Sequence, residues 1–564
     1  CGDDSSDECE DVIVANTPED LKSELTSKIR QIIADKLAFT APSITATIQE
    51  GGSLYQAQFG YEQFAEWRGK ILRKKLDKDG TVTHEMNVEG NWNAAVTIRN
   101  QSASAGNDDR RNLWTAMPTV PYIGDWDNFT TENSSAIGNL FESLNYTVKD
   151  YHDGATGCNL GSNGNSDDII GLINFMSGTD YFDYDGDCNI NEKRDSVMGD
   201  VYHSQLVEVG KPDANVKFDS ENKEAYWRGK NNYQSFAVNN ESRKSVIYAG
   251  ANSGILHALD AKTGEEIWGF IPPLIVPKLP LIINQSLNTA GKGGGSIPKF
   301  LLDGSPTAHD TYFKHPILNP NKENWYTLLM IPYGRAGAGF SVIDVTDPNK
   351  PLHLYSILND SIAQKVFRVD HKGDVKQYPY KTTRLNESDF EEIQAIKSNT
   401  STDYTCNNST TNGCYKGSTL TLTSQKIDKT NTTITVNGID VTASTTITEN
   451  QGDTVLTFAK EITHSKQDPD QGGIVDSVRI VEIGPISSFG IDYDYRRLGE
   501  TWSSPRVFRM PNNGPGDKNV SDDEYVAVMT GGFGNFNPQI GSNLYVIDWL
   551  TGKVKKEIRI KDKQ

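Results

Sequence analysis

A group of four short strand-like segments recurs three times after residue 198, and this repeat limits the possible folds most strongly. In each copy the segments are a few residues long, rich in β-branched and aromatic side chains, and separated by turn residues. The copies are 203–209, 245–249, 254–260 and 266–270; then 303–307 leading a strand, 325–331, 339–344 and 352–357; then 501–509, 525–530, 544–548 and 554–560. Repeated four-stranded units are typical of β-propeller blades. We therefore predict a mainly β chain holding a partial β-propeller with three visible four-stranded blades.

The third segment of every group ends in an aspartate, at Asp260, Asp344 and Asp548. A tight turn follows each of them, such as Thr263-Gly264 after the first. A carboxylate at such a corner accepts hydrogen bonds from the backbone amides of the turn. We predict a structural role for these aspartates.

The spacing of the groups predicts the domain organisation. The interval between Asp344 and Asp548 is much longer than that between Asp260 and Asp344, which indicates an insertion. The insertion is rich in Thr and alternating Val/Ile at 419–423, 432–436 and 475–480, as expected of a small β module. The predicted parts are a terminal helix in 1–40, a β-rich region in 41–197, two blades in 198–358, the module in 359–493 and a third blade in 494–564.

The N-terminal part begins with a predicted helix over 18–37, capped by Thr17. The period then changes to two at 54–59 and 67–73, with a hairpin turn at Asp79-Gly80 and a short helix at 137–144. Propellers close with about four to eight blades. Three blades lead us to expect a chain truncated at both ends, or partner subunits that complete the fold.

The charge balance is acidic, with 55 Lys and Arg against 75 Asp and Glu and a net charge of −20. This argues against a nucleic-acid partner, because the phosphate backbone requires a basic face. The longest apolar run, 271–283, contains four prolines and a lysine. It is too short and too interrupted to predict a membrane-spanning helix.

The six cysteines lie in three pairs close in sequence: Cys1 with Cys9, Cys158 with Cys188, and Cys406 with Cys414. None of the pairs has the spacing of a zinc site. We predict three local disulfides and an oxidising, extracytoplasmic compartment. Cys1 followed by small and acidic residues is also compatible with a mature lipoprotein start.

A possible calcium loop lies in the second half of the β-rich region. Oxygen-bearing side chains recur there at the spacing by which a loop wraps Ca²⁺, and the predicted ligands are Asp183, Asp185, Asp187, Asn189, Asn191 and Glu192. The loop departs from the EF-hand form, because Cys188 replaces the turn glycine and Arg194 replaces the bidentate glutamate. The alternative is an acidic turn held by a Cys158–Cys188 disulfide.

Signals for catalysis are weak. The glycine-rich segment 334–339 lacks the Gly-Lys-Ser/Thr ending of a phosphate loop and indicates a turn between strands. His203, His257 and His309 have no associated Ser or Cys nucleophile motif. The Asn-x-Ser/Thr triplets, including those at Asn128 and Asn431, are ascribed to composition. We predict no catalytic residues and no enzymatic activity.

Five motifs in a fixed order resemble the propeller of PilY-type (PilY/PilC) proteins of the bacterial type IV pilus machinery. They are MGDVYHSQ at 198–205, YAGANSGILHALD at 248–260, LDGSPT at 302–307, the segment 334–347, and LGETWS at 498–503. Upstream, WRG at 67–69 and NWNA at 91–94 are similar to the region that precedes that propeller. The resemblance covers most of 15–360 and 494–560. The Asp-x-Ser-x-Ser metal motif of the family's von Willebrand factor A-like domain is absent, and the helix at 18–37 resembles that domain's closing helix.

The resemblance implies an extracellular protein at the pilus tip that promotes pilus assembly and adheres to surfaces or host cells. Its implied partners are minor pilins or the major pilin, and a surface receptor that the resemblance does not identify. One alternative is a structural subunit of another extracellular filament. Another is a pyrroloquinoline-quinone-dependent dehydrogenase, since the pattern from Ala258 to Trp268 also resembles quinoprotein repeats, although no adjacent cysteine pair is found.

Overall fold

The structure is a computed structural model, and the residues it describes are 43–44, 53–60, 68–76, 88–102, 111–118, 126–146, 169–181, 189, 191–217, 223–283, 299–380, 414–422, 432–436, 439–451, 453–465, 478–482, 488–511, 523–534 and 540–560. The predicted helix at 18–37 and the turn at Asp79-Gly80 lie outside these residues.

The N-terminal sheet has four antiparallel strands in chain order: β1 (Ser43–Ile44), β2 (Ser53–Gly60), β3 (Arg68–Lys75) and β4 (Trp92–Asn93). Along β2, Tyr55, Ala57 and Phe59 are buried and their neighbours are partly exposed. The period of two predicted at 54–59 is confirmed, because alternate side chains of a strand point to opposite faces.

Three helices follow. They are α1 (Ala94–Gln101), α2 (Ser134–Ser143) and α3 (Ile169–Ser177), with β5 (Leu113–Trp114) between the first two. Asn93 caps the N-terminus of α1, where its side chain accepts a hydrogen bond from the backbone amide of Ala95 at 3.0 Å. The predicted helix at 137–144 is confirmed as α2.

The first group of four predicted strands forms β6 (Val207–Val209), β7 (Val246–Gly250), β8 (Leu256–Asp260) and β9 (Glu266–Phe270). They are antiparallel neighbours in the order β9-β8-β7-β6, and β5 adds a parallel fifth strand beside β9. Two helices that the sequence did not predict, α4 (Lys223–Lys230) and α5 (Tyr233–Asn239), lie between β6 and β7 in the chain.

The second group forms β10 (Thr307–Lys314), β11 (Glu323–Pro332), β12 (Ala338–Asp344) and β13 (Leu352–Asp360). Their sheet continues with two unpredicted strands, β14 (Lys365–Val369) and β15 (Val375–Pro379), so that six strands lie in chain order.

The segments of the predicted β module form two three-stranded sheets. One contains β16 (Cys414–Leu422), β19 (Thr446–Asn450) and β20 (Asp453–Ser465) in the order β16-β20-β19. The other contains β17 (Thr432–Val436), β18 (Ile439–Asp440) and β21 (Val478–Glu482) in the order β18-β17-β21.

The third group forms a four-stranded sheet in chain order, made of β22 (Arg506–Met510), β23 (Glu524–Thr530), β24 (Asn543–Asp548) and β25 (Val554–Arg559). The prediction of a mainly β chain is confirmed by these sheets. None of the sheets closes on itself among the described strands, and the propeller arrangement stays a prediction.

The chain divides into two compact units. The first comprises Cys1–Ser356, Val369–Val375 and Trp502–Tyr525, and the second comprises Ile357–Arg368, Lys376–Thr501 and Val526–Gln564. In the first unit the buried ring of Trp268 contacts Trp114 at 6.0 Å and Tyr248 at 5.7 Å. In the second, Tyr495 and Tyr545 pack at 5.2 Å. In the part of the chain that is described, no helix has the length and apolarity needed to cross a bilayer.

Candidate functional site

The three corner aspartates fix the turns that follow them. In each, the Oδ1 atom accepts hydrogen bonds from backbone amides of the turn: Asp260 from Lys262 and Thr263 at 2.8 and 3.3 Å, Asp344 from Thr346 at 2.8 Å, and Asp548 from Leu550 and Thr551 at 2.9 Å each. Gly264 and Gly552 take positive φ values of 73° and 74° in two of these turns, a conformation that favours glycine. The predicted structural role of the aspartates is confirmed.

A histidine–aspartate pair joins two of the quoted motifs. The buried carboxylate of Asp303 accepts hydrogen bonds from the backbone amide of His203 at 3.0 Å and pairs with its ring Nδ1 at 2.6 Å. The hydroxyl of Ser305 donates to the carbonyl of His203 at 3.3 Å and accepts from the amide of Gln205 at 3.2 Å. Segments 198–205 and 302–307 therefore hold each other through both side-chain and backbone atoms.

A second buried carboxyl, that of Asp200, lies in the same motif as His203. Asp200 accepts a hydrogen bond from the side-chain amide of Asn252 at 2.7 Å, and its carbonyl accepts one from the Asn252 amide at 2.8 Å. Burial raises the pKa of Asp200 to about 7, against the opposing effect of the Asn252 hydrogen bond, and the nearby charge of Asp303 adds to the rise. This carboxyl therefore resists ionisation in the folded chain.

Close backbone approach explains two motif glycines. A Cβ atom on Gly199 would lie 2.6 Å from the backbone nitrogen of Ser253, and one on Gly304 would lie 2.3 Å from the carbonyl oxygen of Pro332. No larger residue fits at these positions without a backbone shift. The motif residues thus include both packing positions and the His203–Asp303 pair.

A row of rings lies around His203 and ends in a cation. We call Trp502, His203, Phe300 and Arg335 the aromatic row. The His203 ring centroid is 4.7 Å from that of Trp502 and 6.2 Å from that of Phe300, and the Arg335 guanidinium carbon lies 4.6 Å from the Phe300 centroid. The ring of Tyr202 supports the row, at 4.1 Å from His203 and 5.7 Å from Phe300.

Three members of the aromatic row are exposed to solvent, and the fourth, Phe300, is half-buried. Trp502 is 37% exposed, the His203 side chain is 37% exposed, and Arg335 is exposed. Among the described carboxylates, Arg335 has none within ion-pair distance, although the charge of Asp303 is near enough to interact with it. Exposed aromatic rings beside an unpaired guanidinium are typical of binding surfaces.

A fully buried ionic triad joins β8 and β9 of the five-stranded sheet to Arg111, which precedes β5 in the chain. Arg111 binds both carboxylate oxygens of Glu266, at 2.6 and 2.8 Å, and His257 Nδ1 lies 2.6 Å from the same carboxylate. Burial alone would raise the pKa of Glu266, but Arg111 and His257 outweigh it and lower the pKa to about 2.

Burial also lowers the pKa of His257, and its Nε2 atom has no hydrogen-bond partner among the described residues. With side chains no more than 1% exposed, the triad is inaccessible to a solute. Its role is structural.

No family model matches this chain. A type IV pilus biogenesis factor PilY1 homolog from Xylella fastidiosa is 28% identical over 354 residues, which cover 62% of this chain and 23% of the relative. The type IV pilus biogenesis factor PilY1 from Pseudomonas aeruginosa strain UCBPP-PA14 is 23% identical over 361 residues, covering 62% of this chain and 27% of the relative. The chain is therefore similar to PilY-type proteins over 62% of its length.

This chain spans about a quarter of the length of these relatives. In PilY1 of P. aeruginosa strain PAO1, 164 residues are 31% identical, covering 29% of this chain and 12% of the relative. The crystal structure of the P. aeruginosa PilY1 C-terminal domain is similar with a TM-score of 0.20 and 15% identity, over 61% of this chain and 65% of that one.

The predicted calcium loop is only partly described by the structure. Asp183, Asp185 and Asp187 lie outside the described residues. The backbone amide of Asn191 donates a hydrogen bond to Asn189 Oδ1 at 3.3 Å, and the side-chain amide of Asn189 donates one to the Glu192 carboxylate at 3.4 Å. Within the described ranges, no group of three or more His, Cys, Asp or Glu side chains is placed to hold a metal ion. Calcium binding stays a prediction.

The predicted disulfides are also outside what the structure describes. This applies to Cys1, Cys9, Cys158, Cys188 and Cys406, and for Cys414 only the backbone is described, where it begins β16 opposite Ser465. The three cysteine pairings therefore stay predictions.

The remaining candidates have structural roles where they are described. His309 is half-buried near the ring of Tyr525, and burial lowers its pKa. Gly334 has a φ of 63° in the connection between β11 and β12, which confirms the predicted turn. Asn128 is buried and exchanges two hydrogen bonds of 2.9 Å with the backbone of Thr115. Asn431 lies outside the described residues.

The aromatic row was not predicted from the sequence. His203, Trp502 and Arg335 stood in quoted motifs without an assigned binding function, and Phe300 had no signal of its own. The available signal was the presence of His203 and Trp502 inside two separate motifs of one resemblance.

Proposed function

We propose that this chain acts in type IV pilus biogenesis and in attachment to surfaces, and that it works by binding rather than by catalysis. The observation that supports the proposal is the similarity to two type IV pilus biogenesis factors over 62% of the chain. An extracellular location at the pilus, with pilin partners, belongs to the same proposal.

The geometry of the described sheets is compatible with a binding platform. Three sheets built from consecutive antiparallel strands, each with an aspartate-fixed turn, are the units expected of propeller blades. The accessible aromatic row and the inaccessible Arg111–Glu266–His257 triad both support a role in binding. The buried triad maintains the fold, and the aromatic row has the composition of a recognition surface.

The test is deletion of the gene in its host, followed by complementation with the complete gene. We expect fewer surface pili in sheared-pilin preparations and weaker attachment to a solid surface, with both restored by complementation. A deletion strain with normal pili and normal attachment would contradict the proposal. Regular repetition of this protein along a fibre, seen by immunogold labelling, would favour a structural filament subunit instead.

A further inference from the structure

We propose that the aromatic row binds an acidic oligosaccharide, with sugar rings stacked on Trp502 and Phe300 and a sugar carboxylate bound by Arg335. The inference rests on the proposed attachment function and names its ligand class.

The rings provide the stacking surface. The π face of an aromatic ring is negative, so that it attracts the slightly positive C–H face of a pyranose as it attracts ring edges and cations. Trp502 is 37% exposed and offers the largest ring of the row. The 4.7 and 6.2 Å steps from Trp502 to His203 and on to Phe300 make the row longer than one sugar ring. Consecutive units of an oligosaccharide match such a row better than a monosaccharide.

The charge of the row selects an acidic sugar. Arg335 is exposed at its end in a chain of net charge −20, and its guanidinium carbon is held 4.6 Å from the Phe300 centroid. A planar guanidinium binds a carboxylate through two parallel hydrogen bonds. Asp303, whose charge interacts with that of Arg335, has a fully buried side chain and is engaged by His203, so that it does not present itself to a ligand.

His203 provides a directed hydrogen bond between the stacking rings. Asp303 holds Nδ1 at 2.6 Å and fixes the ring plane, while 37% of the side chain remains exposed. When the neutral ring donates Nδ1–H to Asp303, Nε2 is an acceptor for a sugar hydroxyl.

An extended acidic peptide fits this surface less well. A peptide brings a backbone donor and acceptor at nearly every residue, and these need partners when they are covered. The aromatic row offers ring faces, one imidazole and one guanidinium, whereas a saccharide needs ring contacts and a few directed hydrogen bonds.

The test is calorimetric titration of the full chain with a tetramer of galacturonic acid and with its methyl ester, which is neutral. We expect Trp502→Ala to weaken binding of both by about tenfold or more, in line with the energy of aromatic stacking. Arg335→Gln is expected to weaken binding of the acidic tetramer by about tenfold and to leave binding of the ester unchanged, because only the acid presents a carboxylate. Trp502→Tyr, which keeps an aromatic ring, should retain most of the binding.

Matched controls are available nearby. Phe508, 45% exposed, and Arg506, also exposed, lie on β22 outside the row. Phe508→Ala and Arg506→Gln are expected to bind both tetramers as the wild type does. Urea denaturation of each variant shows that the fold is retained.

Three results would overturn the proposal. They are no binding of the acidic tetramer by the wild type, equal affinity of folded Trp502→Ala and wild type, and binding of an acidic peptide that the tetramer does not displace. If the tetramer does not bind while the deletion strain loses attachment, the ligand class is wrong and the proposed function stands. If the tetramer binds and the deletion strain attaches normally, the proposed function fails and the site remains.

Discussion

Replacing the Glu266 carboxylate tests how much the buried Arg111–Glu266–His257 triad stabilises the fold. In Glu266→Gln the side chain keeps its size and loses its charge. Arg111 then keeps a buried positive charge without its partner, since both side chains are no more than 1% exposed. His257 loses its carboxylate acceptor at the same time.

The structure allows the size of the effect to be worked out in two ways. Removing one partner of a buried ion pair lowers the free energy of unfolding by about 3–5 kcal/mol. The pKa of Glu266, lowered from its ordinary 4.5 to about 2, corresponds to about 3 kcal/mol at about 1.4 kcal/mol per pH unit. The two values agree, and we expect a loss of about 3 kcal/mol at pH 7.

The pH dependence has a definite sign. Because the pKa of Glu266 is lower in the folded chain than in the unfolded chain, its contribution is fully present above about pH 4.5 and is lost as the pH falls towards about 2. The difference in stability between wild type and Glu266→Gln is therefore expected to shrink in this window.

The assay is urea denaturation at pH 7, followed by both tryptophan fluorescence and circular dichroism, because the chain has two compact units. Glu265→Gln is the matched control, since Glu265 is the exposed neighbour and its replacement should change stability by no more than about 0.5 kcal/mol. Arg111→Met combined with Glu266→Leu should recover much of the loss, because no buried charge remains unpaired. A loss below about 1 kcal/mol in Glu266→Gln would refute the reasoning.

Three further predictions concern single sites. Asp260→Ala removes the acceptor of two turn amides and should lower the free energy of unfolding by about 1–2 kcal/mol in urea, with Lys262→Ala as a nearly silent control; equal values would contradict it. Asp200→Asn should stabilise the chain at pH 8 but not below about pH 4, because burial raises the Asp200 pKa to about 7 and only the ionised carboxyl is unfavourable. Equal thermal midpoints of wild type and variant at pH 8 would count against this prediction. If the 183–192 loop binds calcium, adding EGTA should lower the thermal midpoint of the wild type and not of Asp183→Ala/Asp185→Ala, and an insensitive wild type would exclude the site.

The strands of the three repeated groups could be predicted because their signals are local. Short apolar segments of period two, ended by turn residues, were sufficient to place β8, β9 and β24 nearly to their ends. The corner aspartates were predictable for the same reason, because their hydrogen bonds reach only two or three residues along the chain.

The unpredicted elements lack such signals. Helix α3, IIGLINFMS, is buried over most of its surface, so that it shows no amphipathic period. Strand β5 has two residues, and it is a strand only because it pairs with Gly269 and Phe270 of β9. Neither element can be identified without its packing partners.

The sequence by itself determined the β class, the positions of most repeated strands, the acidic turns and the PilY-type resemblance. All of these depend on residues close together in the chain or on motifs in a fixed order. Only the tertiary structure decided that His203 meets Asp303 across 100 residues, that Arg111 meets Glu266 across 155, and that Trp502 joins the row. Such contacts depend on how sheets pack. The partners that keep Glu266 ionised and the exposure of Trp502 follow from that packing rather than from local sequence.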